Sequence, residues 1–213
     1  MLDFEKLKFA VSEMDDDTAL AIINEVVAEN GDAAKAVAAC EEGMAIVGNM
    51  FETGEYFVGD LIFAGELMVQ IMDQLRPLLA SGAAEDMGKM ILCTVSGDIH
   101  DIGKNIVKAM MGAGGFEVLD LGVDVSAAEI VAAAKENDVK IIGLSGILTL
   151  AIDAMKETVD AFKAAGIRDN VHIILGGNPV TAEVCSSVGA DAWSTNPQEG
   201  VAICRKWSLA EKA

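Results

Sequence analysis

The sequence predicts an α/β protein built in two parts. An all-α four-helix bundle is expected over residues 1–80, a linker over 81–89, and a doubly wound five-stranded parallel sheet over 90–213. Two observations predict this. Through the first part, apolar residues recur at steps of three and four, the period of helices buried along one side. Beyond residue 89, short apolar runs alternate with such helical stretches, the pattern of a parallel sheet with helices on both faces. The chain is 52% hydrophobic but only 5% aromatic, so its core must be built from aliphatic residues, alanine and methionine.

Each element has its own signal. Asp15, Asp16 and Asp17 place negative charge at the start of a helix that carries Leu20, Ile23, Val26 and Val27 and stops near Gly31. Val37, Cys40, Met44, Val47 and Phe51 form one apolar seam; Phe57, Leu61, Ala64, Met68, Ile71, Leu75 and Leu78 form another. Gly54 and Glu55 break the chain between these two helices, and Pro77 helps to end the second. Strands are expected at Met90–Val95, Phe116–Asp120, Lys140–Ser145, His172–Leu175 and Ala192–Ser194. Helices are expected near Lys104–Met111, Ala127–Asn137, Ile152–Ala165, Pro179–Val188 and Gln198–Leu209. Ser126 and Glu129 form a capping box, while Asn178-Pro179 predicts an N-cap followed by a first-turn proline.

Charge and cysteine usage narrow the function. With 34 acidic and 15 basic residues the net charge is −19, which argues against nucleic acid and against an anionic membrane surface. The most apolar stretch, Phe57 to Leu79, is interrupted by Asp60, Glu66, Asp73 and Arg76, so it does not read as a membrane span. Met1-Leu-Asp-Phe-Glu-Lys lacks the basic start and apolar core of a signal peptide. Cys40, Cys93, Cys185 and Cys204 form no CxxC pair and read as small buried residues of a cytoplasmic protein.

Three loops carry the chemistry, each at the carboxyl end of an expected strand. The first is Gly97-Asp98-Ile99-His100-Asp101-Ile102-Gly103, in which a carboxylate can orient an imidazole and raise its basicity. The second is Ser145-Gly146-Ile147-Leu148-Thr149; the third is Gly176-Gly177-Asn178. In a flavodoxin-like strand order, 2-1-3-4-5, these loops line one crevice, where open α/β sheets bind ligands. By residue type, Ser145 can hydrogen-bond Asp98 and complete a His–Asp–Ser relay whose outer imidazole nitrogen faces a metal. This is neither a hydrolase triad nor a zinc site: the serine is the far end of the relay, His172 falls within a strand, and no cysteine lies nearby. His172 reads as structural, and Met110 and Met111 as core filler.

DxHxxG, a serine loop of S-x-L type and a glycine pair, in that order, resemble the cobalamin-binding domain shared by methionine synthase and the corrinoid methyl-carrier proteins. Gly43-Met44 through Phe51-Glu-Thr-Gly54-Glu-Tyr-Phe57-Val58 resembles the helical cap that precedes this domain in the methyl-transferring branch. The likeness extends over nearly the whole chain, from Asp3 to Trp207. It implies a Rossmann-like cobalamin domain in which His100 is the lower axial ligand of cobalt, replacing the cofactor's dimethylbenzimidazole. Asp98 and Ser145 complete a proton relay behind it. Gly103, Gly176 and Gly177 leave room for the displaced nucleotide tail, with Thr149 and Thr195 contacting the cofactor. Gly97, Ile99, Asp101, Ile102, Ile147, Leu148 and Asn178 complete the cofactor-binding loops, and Phe51 and Val58 shield the corrin's upper face. Ile147 and Val58 stand where the family pattern has leucine.

The resemblance further implies a methyl shuttle rather than a complete enzyme. A substrate-specific methyltransferase loads the methyl group, a second methyltransferase delivers it to tetrahydrofolate, and a reductive activase rescues oxidised cobalt. The helical part is expected to act as a lid hinged at residues 81–89. The cap wording Glu55-Tyr56-Phe57-Val58-Gly59-Asp60-Leu61 and the C-terminal Ala192-Trp193 to Val201 favour a methoxylated aromatic donor, as in O-demethylases; quaternary amines, methylamines and methanol are the alternatives. A cobalamin-dependent sensor is the rival from another class, but such sensors normally add a basic DNA-binding module. A response-regulator receiver is disfavoured because its third strand would end in a phosphoacceptor aspartate, where this chain has Ser145.

Overall fold

The computed structural model describes residues 2–79 and 86–212. Four helices come first: α1 (Phe4–Ser12), α2 (Asp16–Ala28), α3 (Ala33–Thr53) and α4 (Val58–Leu79). Aspartates begin the first three. Asp3, Asp15 and Asp32 accept hydrogen bonds from the backbone N–H groups of Lys6, Thr18 and Lys35, which satisfies donors that a helix start leaves open. Asp60 does the same for Phe57 at the start of α4, over 2.7 Å. Gly54 ends α3 in the left-handed conformation, φ +79. Tyr56 in the following loop donates its hydroxyl to the carbonyl of Ser12 at the end of α1, 2.8 Å away.

The remaining chain alternates strand and helix. β1 (Lys89–Val95), β2 (Glu117–Val125), β3 (Ile141–Ser145), β4 (His172–Gly176) and β5 (Ala192–Ser194) are interleaved with α5 (Ile102–Ala113), α6 (Ala127–Asn137), α7 (Ala151–Ala164) and α8 (Ala182–Val188). α9 (Pro197–Lys212) closes the chain. The strands are parallel in the order β2-β1-β3-β4-β5, as expected. The β1, β3 and β4 strands are almost wholly buried, which is why they read as continuous apolar runs. One face of the sheet packs under α6 and α7 through Ile91, Cys93, Ile142, Ile130, Met155 and Phe162.

Several boundaries move. β1 starts at Lys89, the last residue of the expected linker, and residues 81–85 of that linker and hinge lie outside the described residues. β2 runs to Val125 rather than Asp120 because two register shifts carry it past Leu92 and Cys93 of β1. The N-cap expected at Asn178 is instead Thr181, whose Oγ1 accepts from Val184 N–H, so α8 begins three residues after Pro179. The capping box of Ser126 and Glu129 on α6 forms with both reciprocal hydrogen bonds.

The described chain divides into two compact units. One holds the helices up to Asp86 with Gly112–Gly115; the other holds Met87–Met111 and the chain from Phe116 onward. No described helix is long and apolar enough to cross a membrane. Burial pushes the thiols of Cys40, Cys93 and Cys204 up to about 12, so these cysteines are inert at neutral pH.

Candidate functional site

β1, β3 and β4 are neighbours in the sheet, so the loops that follow them meet at one edge. After β1 the chain turns at Gly97, φ +81, and Asp98 follows with its side chain fully buried. Asp98 Oδ1 lies 2.8 Å from His100 Nδ1 and accepts the His100 backbone N–H at 2.9 Å. Oδ2 accepts the backbone N–H groups of Ile147 and Leu148, at 2.6 and 3.1 Å. Burial alone would raise this carboxyl's pKa, but the N–H groups of His100, Leu148 and Ile147 outweigh it and hold the group down to about 2. Asp98 is therefore a carboxylate at any physiological pH, and it fixes the orientation of the imidazole, whose Nδ1 faces the carboxylate and leaves Nε2 on the other side of the ring. His100 is 46% exposed, and among the described residues its Nε2 has no hydrogen-bond partner.

The expected relay through Ser145 is not formed. Ser145 ends β3 opposite Gly176 and lines the same crevice, but both Asp98 oxygens are already taken by His100 and by the loop's own N–H groups. The loop serves Asp98 through its backbone rather than through its serine.

Beneath His100 an open crevice of about 200 Å3 runs along the side of the sheet under α5 and the start of α9. His100, Gly103, Ser145, Ile147, Gly176, Gly177, Asn178 and Thr195, all expected site residues, line it. Its walls are otherwise mostly apolar, with Leu92, Val107, Met111 and Ile174 among them. Asp101, Ile102, Leu148 and Thr149 stand exposed around the mouth with Ile99, which is 70% exposed. Phe51 lies in α3, and Val58, 45% exposed, opens α4 in the helical unit.

Sequence reading missed Gly143, Lys104 and Asp120. A glycine in the middle of the apolar β3 run was the available signal for Gly143, which lines the crevice. Lys104 is 3% exposed and lies 2.7 and 2.8 Å from the two oxygens of Asp120 on β2. After its own burial, which raises it, Asp120 is held down to about 2 by Lys104, Lys108 and the Gly122 N–H. This pair ties the first turn of α5 to the sheet. Nothing local in the sequence announces it.

The donor set fits a metal that brings its other ligands with it. Among the described residues no group of three or more His, Cys, Asp or Glu side chains could hold an ion, whereas one imidazole nitrogen is presented free. The glycines fit an extended appendage. A Cβ added at Gly103 would meet nothing within 4 Å, so the protein itself leaves that space beside the crevice empty.

Fold and site together define a doubly wound domain that presents one carboxylate-oriented imidazole at a glycine-lined crevice along its sheet. Comparison with known proteins gives the particular family. Residues 88–202 match a B12 binding domain, and residues 3–76 match a second B12 binding domain model. A cobalamin-binding protein from Desulfitobacterium hafniense DCB-2, known from a crystal structure, is 46% identical with a TM-score of 0.90, over 97% of this chain and 99% of that one. The dimethylamine corrinoid protein of Methanosarcina barkeri is 33% identical over 203 residues, 95% of each chain. The methanol:cobalamin methyltransferase complex of Methanosarcina barkeri contains a chain 25% identical, with a TM-score of 0.71, over 96% of this chain and 78% of that one. The chain belongs to the corrinoid proteins of methyltransferase systems, and its cofactor is cobalamin.

Proposed function

We propose that the chain carries a methyl group on cobalamin held by His100, taking it from a methylamine-class donor. The observation that carries the reading is the Asp98-oriented imidazole with a free Nε2 at the mouth of a glycine-lined crevice. Bound there, cobalamin supplies a cobalt centre able to accept and release a methyl group, the hard chemistry that the protein cannot perform. The chain's own residues do the rest. Asp98, ionised and fully hydrogen-bonded, keeps His100 in one orientation and one tautomer. Gly103 and Gly176 leave the crevice open for the nucleotide tail, with Gly177, Asn178 and Thr195 along it. Phe51 and Val58 are the candidates for shielding the reactive face.

The similarity to a dimethylamine corrinoid protein favours a methylamine donor over the methoxylated aromatic suggested by the wording of residues 55–61. The likeness to a chain of a methyltransferase complex supports a substrate-specific methyltransferase as the loading partner. A second methyltransferase, tetrahydrofolate as acceptor, a reductive activase and a cytoplasmic location complete the proposal.

The test is an EPR spectrum of protein reconstituted with cobalamin and reduced to cobalt(II), made with ¹⁵N-histidine. The expected result is a nitrogen coupling that changes with the label and disappears in His100→Ala. Coupling from dimethylbenzimidazole instead, insensitive to the label, overturns the ligand assignment. For the donor, ¹⁴C from labelled dimethylamine is expected to accumulate on the holo-protein when a dimethylamine methyltransferase is added. Labelling from a methoxylated aromatic through its demethylase, with none from any methylamine, returns the donor to the aromatic class.

A further inference from the structure

Asp98 is held not only through its carboxylate. Its main chain is also held by two residues outside the binding motif, Thr94 on β1 and Asp124 on β2. Thr94 is a fully buried polar residue in the apolar run from Met90 to Val95. Its hydroxyl donates a short hydrogen bond to the Asp98 carbonyl and accepts the backbone N–H of Asp124 at 2.9 Å. The same Asp124 N–H also lies 3.0 Å from the Asp98 carbonyl. Asp124 in turn takes the Gly97 N–H on its Oδ1 at 2.6 Å.

This geometry needs an irregular strand. β2 pairs Gly122 with Cys93 and Val125 with Val95, so Val123 and Asp124 together stand opposite Thr94 alone. That is a β-bulge, and it turns Asp124 back toward the Gly97–Asp98 turn. Asp124 adopts φ +53, the left-handed region that non-glycine residues enter at a cost. Strain of this kind persists only where surrounding contacts over-determine it. Here the contacts are those to Gly97, Thr94 and Asp98. Asp124 is exposed and makes no ion pair with the described residues; its carboxylate accepts the Gly97 N–H.

We propose that Thr94 and Asp124 are positioning residues that set the presentation of His100 to cobalt by fixing the main chain of Asp98. The assignment rests on His100 as the lower ligand. Asp98 can aim the imidazole only if its own backbone is stationary. The β3–α7 loop and His100 fix its carboxylate, while the β2 bulge fixes its carbonyl and the preceding amide.

The test compares Asp124→Ala, Asp124→Asn, Thr94→Val and Thr94→Ser in the full chain. Three quantities are read: the dissociation constant for cobalamin, the share of bound cobalt(II) showing histidine nitrogen coupling, and hydrogen exchange of the Gly97 amide without cobalamin. Asp124→Ala and Thr94→Val are expected to weaken binding about tenfold or more, the usual effect of losing a partner behind a metal ligand. They are also expected to lower the histidine-coupled share. Asp124→Asn, which keeps the acceptor and tolerates the left-handed backbone, and Thr94→Ser, which keeps the hydroxyl, are expected to stay within about twofold of the parent. Gly97 exchange should quicken in Asp124→Ala, while the strained alanine is expected to lower the melting temperature by only a few degrees. Parent-like affinity and coupling in both Asp124→Ala and Thr94→Val would overturn the assignment. Lack of histidine coupling in the parent protein overturns the ligand reading instead. Gly97 exchange, measured without cofactor, then decides by itself whether these two residues hold the loop.

Discussion

Gly103 and Gly177 both line the crevice, yet they are glycine for different reasons. At Gly177 the backbone itself requires it: φ is +115, and an added Cβ would lie 1.9 Å from the Gly146 carbonyl oxygen. At Gly103, in the first turn of α5, an added Cβ meets nothing within 4 Å, and the backbone is ordinary helix. The fold alone would prefer a larger residue there, because glycine inside a helix costs up to about 1 kcal/mol. Gly103→Leu is therefore expected to fold with equal or higher thermal stability while losing at least tenfold in cobalamin affinity, since its side chain enters the crevice. Gly177→Ala is expected to lose about 2 kcal/mol or more of stability before any cofactor is added. Calorimetry of the cofactor-free proteins, followed by cobalamin titration, separates the two. A Gly103→Leu protein that binds normally would mean the tail runs elsewhere. The same scale shows what the sequence could reveal of the site. Asp98, His100 and the glycines were legible because their side chains, or lack of them, perform the function. The role of Ser145 was misread because the donors that satisfy Asp98 are backbone N–H groups, which no residue type spells out.

Two glycines on the amino-terminal helices show how packing rather than local preference sets an element. Gly43 sits on α3 where a Cβ would lie 2.6 Å from the Lys8 carbonyl and 2.9 Å from Val11 Cβ, so α1 and α3 approach backbone to backbone. Gly59, in the first turn of α4, faces open space. Gly43→Ala is expected to destabilise by about 1–3 kcal/mol through overpacking, despite its better helix propensity. Gly59→Ala is expected to be neutral or to stabilise by up to about 1 kcal/mol. Urea denaturation of the two variants checks this, and destabilisation by both alike would show that α1 and α3 do not depend on the close approach. Legibility at this scale follows the same division. Helices α2, α3 and α4 and strands β1, β3 and β4 carry their period or apolar run in their own residues. The carboxyl half of β2 does not, because its face alternation is broken by bulges that depend on pairing with β1. The start of α8 was misplaced because Asn178-Pro179 carries a helix-start signal, while the backbone there is committed to the crevice wall and Thr181 supplies the cap.

Over the whole molecule the net charge of −19 means that most carboxylates repel one another, and the two most strongly held ones work against that background. Asp98 and Asp120 both titrate at about 2 in the folded protein, against an ordinary 3.8. A group whose pKa is lower folded than unfolded stabilises the fold fully above its unfolded value and loses that contribution as pH falls through the folded one. Each difference corresponds to about 2 kcal/mol, present above about pH 4 and lost by about pH 2. Protonating the many exposed carboxylates relieves repulsion over the same range, so the steep loss belongs to the held pair and not to acidity in general. Asp120 is the better one to test, because it makes no hydrogen bond to His100 or its loop, and it anchors a buried ammonium, Lys104, between β2 and α5. Cofactor-free protein is expected to lose unfolding free energy steeply below about pH 4. Asp120→Asn should be less stable at neutral pH, where Lys104 loses its counter-charge, and its acid limb should be shallower by about half. Urea titrations at several pH values measure both slopes. Equal acid limbs in the parent and Asp120→Asn would assign the acid sensitivity to carboxylates other than those that tie the ligand loop and α5 to the sheet.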